Sequence, residues 1–400
     1  MCADRQARQV EITMEKTICL FGGPLFDGER LFERGAVVFN GHGILSVEPG
    51  DRERDADRAV DVGGKLIAPG FVDVHSDALE KCIEIRPGVY FDADFALLNL
   101  DKRLGACGIT TFCHAISFAE EEFGLRSCGE AEALVRLVHR FKKSNRAAVN
   151  HLVHARFEVN SMGREQVIAR LIKEDLIDAL SVMDHTPGQG QFKTLESYIA
   201  YHTSTYKVSA GQVTALVERK MAGKEESMKR VVRAAQLARY ADIPFLSHDD
   251  DTEEKVSFVR ELGVDASEFP VSLEAARKAK GFDMKVFMGA PNLIRNCSSN
   301  NHLRASEALE AGVCDALVSD YSPECLLQAP FTVSKRQSSD LGEAMKLVTS
   351  TPGDYLRQRT TAGRLAGDMP ADVAVIDHAG PWATVAQTWV AGRRVYDSGR

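Results

Sequence analysis

The chain has 400 residues, 44% hydrophobic and 26% charged, enough apolar material for a large buried core beneath a soluble surface. Its formal net charge is −8 with no lysine- or arginine-rich run, which argues against nucleic acid or an anionic membrane as the main partner and leaves a small substrate. Nine cysteines, an odd number with no Cys-x-x-Cys pair, read as reduced thiols of a cytoplasmic protein, and no run approaches the ~18 apolar residues of a membrane span.

Short β-like runs separated by glycine-rich turns come first: Thr17–Phe21, Gly35–Phe39 and Gly43–Val47. The C-terminus has the same texture at Ala371–Asp377, Thr388–Gly392 and Arg394–Tyr396. Both ends are therefore expected to build one small β-sandwich domain, residues 1–67 with 365–400. Between them, residues 68–364, apolar runs recur at Gly70–His75, Gly108–His114, Val149–Val159, Asp178–His185, Ile243–His248, Lys285–Gly289 and Asp315–Asp320. Helical stretches intervene at Glu130–Lys143, Gly163–Glu174, Gly223–Tyr240 and Ala305–Ala311. Such alternation predicts an α/β fold of parallel strands with right-handed crossovers, closed as a (β/α)8 TIM-like barrel or open as a doubly wound sheet. No Gly-x-Gly-x-x-Gly follows the first strand, so a dinucleotide site has no support.

The chemistry sits at the strand ends. His75 and Asp77 close the first run, and alternate residues of a strand face the same way, so both can reach one metal. Glu158, His185, His248 and Asp320 close four further runs. One ionisable strand end is noise. Five with a His/Asp/Glu vocabulary describe a metal site at the catalytic face of a barrel. His151 and His154 are equally readable as core groups, and Asp249, Asp250 and Asp251 as caps or as groups orienting His248.

Pro69-Gly70-Phe71-Val72-Asp73-Val74-His75, with an aspartate near position 320, resembles the amidohydrolase superfamily. More narrowly, six stretches resemble the α-D-ribose 1-methylphosphonate 5-triphosphate diphosphatases of the carbon–phosphorus lyase pathway. They are His75–Lys81, Arg86-Pro87, Met183–Gln189, Ser247–Asp250, Phe287–Asn292 and Ser319–Tyr321. The resemblance implies release of pyrophosphate from the 5-triphosphate of a ribose phosphonate, a small anionic phosphorylated substrate. It implies one or two divalent cations, zinc or the harder manganese, on His75, Asp77, Glu158, His185, His248 and Asp320. Asp320 is then the general base. A triphosphate needs several cationic donors, for which Lys81, Arg86, Arg156 and Arg295 are the candidates.

The chain departs from that family's pattern at Ala78, where asparagine is usual, and after Arg295, where Asn296–His302 replaces a glycine-rich stretch. An amide- or deacetylase-type hydrolase on the same core is the alternative, and a non-catalytic scaffold barrel a further one. A homo-oligomer is compatible with the sequence.

Overall fold

The computed structural model describes residues 16–50, 55–119, 128–160, 164–184, 194–206, 208–222, 224–298 and 302–399. Eight parallel strands follow one another in chain order: Phe71–Ser76, Ile109–Phe118, Asn150–Glu158, Ala179–Met183, Phe245–His248, Ala266–Glu268, Lys285–Gly289 and Ala316–Val318. The eighth meets the first through a parallel bridge between Ser76 and Asp320, which makes the sheet a barrel rather than an open layer.

Parallel strands are covered on both faces, and their sequences show it. All ten residues of Ile109–Phe118 are buried. One cluster, including Val74, Cys113, Leu152, Ala179, Leu246, Ala266, Phe287 and Val318, draws a side chain from every strand and fills the barrel. A second, larger cluster lies between strands and helices. Helix Ala93–Ala106 serves it with Leu97, Leu100 and Leu104, spaced to share one face, and Asp92 starts the helix by accepting from the Phe95 amide at 3.0 Å.

The sixth strand, Ala266–Glu268, is not among the predicted runs. It has three residues, two of them polar, so it carries no apolar signal. It forms because its neighbours on both sides supply ladder partners, Leu246 and Lys285 each pairing with Ala266.

The two ends of the chain share one eight-stranded sheet. The joint is the antiparallel pairing of Leu66–Pro69 with Val373–Asp377, in which Ala68 faces Ala374. Leu66–Pro69 then runs straight into the first barrel strand through Gly70. A Cβ there would lie 2.1 Å from Thr110 Cγ2, so only glycine lets the first two strands approach. Among the described residues, no helix is long and apolar enough to cross a membrane.

Candidate metal centre

Every barrel strand ends at the same rim, so residues remote in sequence converge there. His75 is the last residue but one of the first strand and is 1% exposed. Its Nδ1 lies 3.0 Å from Glu268 Oε1. Glu268 ends the sixth strand, fully buried, and its Oε2 is 3.6 Å from His154 Nε2 on the third. Ligand atoms of these three side chains lie within 4.8 Å of one another.

The protonation pattern follows from the partners. His154 Nδ1 is 3.1 Å from the Val74 carbonyl, which only accepts, so Nδ1 carries the proton. Burial holds the imidazole neutral, its pKa pushed down to about 4. His154 Nε2 therefore turns a lone pair toward Glu268 Oε2, and neither atom has a hydrogen-bond partner. Burial also raises the Glu268 carboxyl above its ordinary range, but 3.6 Å is too long for a proton to bridge the two. Two buried electron-rich atoms facing each other are costly without a cation between them. Two imidazoles and a carboxylate, one imidazole anchored to a backbone carbonyl through its other nitrogen, suit a divalent ion.

Of the other predicted residues, Asp77, His248 and Asp320 lie next to His75. Asp77 is buried just beyond the first strand, and its Oδ1 has no partner. Its amide donates to the Asp320 carbonyl at 2.7 Å, while the Asp320 amide donates to the His75 carbonyl at 3.1 Å. The seam that closes the barrel is thus made at the predicted ligand positions. Asp320 takes a left-handed φ of 56°, as do Asp249 and Phe269 at the fifth and sixth strand ends, with φ of 54° and 51°. Burial, then the charge of Asp77, pushes the Asp320 carboxyl up to about 7. His248 ends the fifth strand in register with Glu268. Its ring is 5.6 Å from that of His75, and its Nδ1 is 3.1 Å from Asp249 Oδ2. Glu158 ends the third strand fully buried, two and four residues beyond Arg156 and His154 on their shared face. His185 lies outside the described residues.

Of the predicted cations, Arg156 is buried and reaches Glu80 Oε2 at 3.7 Å, whereas Lys81, Arg86 and Arg295 are exposed. Arg295 donates to the Tyr321 hydroxyl at 3.3 Å, next to Asp320. Asp249 lies beside His248, while Asp250 accepts from the Ser247 and Ser267 hydroxyls at 2.5 Å each. Thr252 caps the next helix.

Sequence reasoning leaves His154 open and misses Glu268. The signal that could have found it is arithmetic: seven predicted strands cannot close an eight-stranded barrel, and the unassigned gap between His248 and Lys285 contains Ala266-Ser267-Glu268. His151 faces the other way. Its Nε2 is 3.0 Å from Asp101 Oδ1 and its Nδ1 is 2.8 Å from His114 Nε2, a buried chain apart from the cluster.

No family model matches the chain. The structure is similar to a β-aspartyl dipeptidase from Fervidobacterium islandicum AW-1, with a TM-score of 0.62 at 13% identity, covering 96% of this chain and 98% of that one. It is similar to a dihydropyrimidinase from Brevibacillus agri NCHU1002, with a TM-score of 0.61 at 12% identity, covering 96% of each. At such identities these likenesses speak for the fold. In sequence, the α-D-ribose 1-methylphosphonate 5-triphosphate diphosphatase of Escherichia coli (strain K12) is 30% identical over 363 residues, 88% of this chain and 96% of that protein. With that similarity along nearly the full length of both proteins, and a barrel whose rim gathers buried metal-ligand types, the chain belongs to the family of this diphosphatase and is a metal-dependent hydrolase with an amidohydrolase-type fold.

Proposed function

We propose that the chain hydrolyses the 5-triphosphate of a ribose 1-phosphonate to the 5-phosphate and pyrophosphate, adding water across the anhydride between the α and β phosphoryl groups. The observation that carries the reading is the buried face-to-face pair of His154 Nε2 and Glu268 Oε2 beside His75, which calls for a cation. His75, His154 and Glu268 would hold a divalent ion. Asp77, Glu158, His185, His248 and Asp320 are proposed to complete one or two metal shells. A nitrogen-containing set with carboxylates suits zinc, with manganese the alternative. A divalent ion bound there supplies Lewis acidity toward a phosphoryl oxygen and makes water a nucleophile near neutral pH.

The chain's own groups do the rest. Asp320 is proposed as the base that takes the proton of the attacking water on a carboxylate oxygen, and its place at the seam beside Asp77 keeps that oxygen at the reacting face. His154, tied to the Val74 carbonyl, keeps its orientation through turnover. Arg295, with Lys81 and Arg86 at the rim, is proposed to screen the outer phosphates.

Phosphorus NMR tests the reading directly. The zinc- or manganese-loaded protein, given α-D-ribose 1-methylphosphonate 5-triphosphate, should release pyrophosphate and no inorganic phosphate. Turnover of an amide panel with the triphosphate untouched would assign the barrel to the amide-hydrolase alternative.

A further inference from the structure

Arg156 lies on the third barrel strand between His154 and Glu158, inside the rim and 6% exposed. The other cations named for substrate binding are on the surface. A guanidinium stays charged whatever its surroundings, so burying one demands partners. Here Nε and Nη2 have none within hydrogen-bond distance. The carboxylate oxygen paired with the guanidinium, Glu80 Oε2, is 3.7 Å from Nη2, and the other oxygen of Glu80 accepts from the Ser117 amide at 3.1 Å. Arg156 shares the inward strand face with His154 and Glu158, two residues away on either side, which places it beside the metal cluster. Nε and Nη2 form one edge of the guanidinium, the two-donor fork that matches two oxygens of a phosphoryl group.

Building on the phosphoanhydride reading above, we infer that Arg156 is the anion receptor inside the site: its Nε–Nη2 edge binds two oxygens of the substrate's reacting phosphoryl group and selects phosphoanhydrides over amides. A neutral amide offers one weak acceptor and would leave the buried fork half satisfied. A phosphoryl group satisfies both donors and neutralises the charge. Specificity of this kind comes from the cost of the wrong ligand as much as from the gain of the right one.

Calorimetric titration of inorganic pyrophosphate into the zinc-loaded protein tests this, with zinc content and thermal unfolding measured on the same samples. Arg156→Met keeps the volume and removes the fork, and should bind pyrophosphate about 10–100-fold more weakly with zinc retained. Arg156→Lys should recover part of the affinity, since it restores charge without the planar edge. Glu80→Gln releases the guanidinium from its distant ion pair and should bind pyrophosphate at least as tightly as wild type. Two results overturn the inference: Arg156→Met binding pyrophosphate within about threefold of wild type, or Glu80→Gln losing affinity as Arg156→Met does, as a purely structural ion pair requires. If Arg156→Met does not hold zinc, the Lys and Glu80→Gln results decide by the same comparison. Failure of the diphosphatase reading registers separately, as no pyrophosphate release by the wild type, and does not alter what the calorimetry says of Arg156.

Discussion

Replacing Glu268 by glutamine changes one oxygen to an amide and tests the metal centre without reference to turnover. In the metal-free protein, Glu268 is a fully buried carboxylate with Oε2 facing the lone pair of His154 Nε2 at 3.6 Å. An amide there removes the buried charge and turns an N–H rather than a lone pair toward Nε2, while the retained oxygen still accepts from His75 Nδ1, now 3.0 Å from Oε1. The gain should be about 1–2 kcal/mol, the relief of an unsatisfied buried pair, or about 1–3 °C in Tm for a chain of this size. With zinc the order reverses. At a concentration 100 times the wild-type Kd, binding adds about 2.7 kcal/mol to the wild type. If the neutral amide weakens binding about 100-fold, the same zinc adds only about 0.4 kcal/mol to the variant. Thermal unfolding in chelator and in zinc reads both halves. Glu268→Gln should be the more stable protein without metal and the less responsive one with it. An unchanged zinc shift, or a less stable metal-free variant, would refute the assignment of Glu268 as a ligand.

Asp320→Asn should keep most of its zinc and lose about 10²–10⁴-fold in kcat with KM little changed, as metal analysis and steady-state kinetics would show; near-normal turnover would move the base elsewhere. Asp372 is pushed up to about 6 from its ordinary 3.8 by burial, with the Ala391 amide donating to its Oδ1 at 2.8 Å. A raised carboxyl stabilises the fold fully below its unfolded value and loses that contribution as pH rises through about 6, a swing of about 3 kcal/mol. Asp372→Asn keeps the acceptor and should therefore be more stable than wild type at pH 8 and no more stable at pH 4 in denaturant titrations. Phe269 holds a φ of 51° while its ring stands edge-on to His75 at 5.0 Å and packs on His248 at 5.2 Å. Phe269→Gly should be about 1 kcal/mol more stable than Phe269→Ala in the same titrations, because glycine alone is free of the left-handed penalty; the reverse order would contradict a strained backbone there.

The barrel was legible because parallel strands buried on both faces are largely apolar with no polar alternation, as in Ile109–Phe118. The shared terminal sheet was legible from matching β-rich ends, though only the structure gives the Leu66–Pro69 pairing with Val373–Asp377. Strand ends such as His75, His248 and Asp320 announced themselves because an ionisable residue closes an apolar run. Glu268 did not, since its three-residue strand has no run to close and owes its existence to its neighbours. His154 lies in mid-strand, where sequence cannot tell a ligand from a core histidine; the Val74 carbonyl and Glu268 make the difference, and both are tertiary. Arg156 read like any other arginine until its burial was known.

Whether a cation sits between His154 and Glu268 is answered by diffraction from zinc-soaked crystals on either side of the zinc absorption edge. An anomalous peak is expected about 2.0–2.2 Å from His154 Nε2 and from Glu268 Oε2, with His75 in the same shell. A peak held by other residues with His154 and Glu268 still facing each other, or no peak at the rim of a zinc-saturated barrel, would contradict a metal centre built on these two side chains.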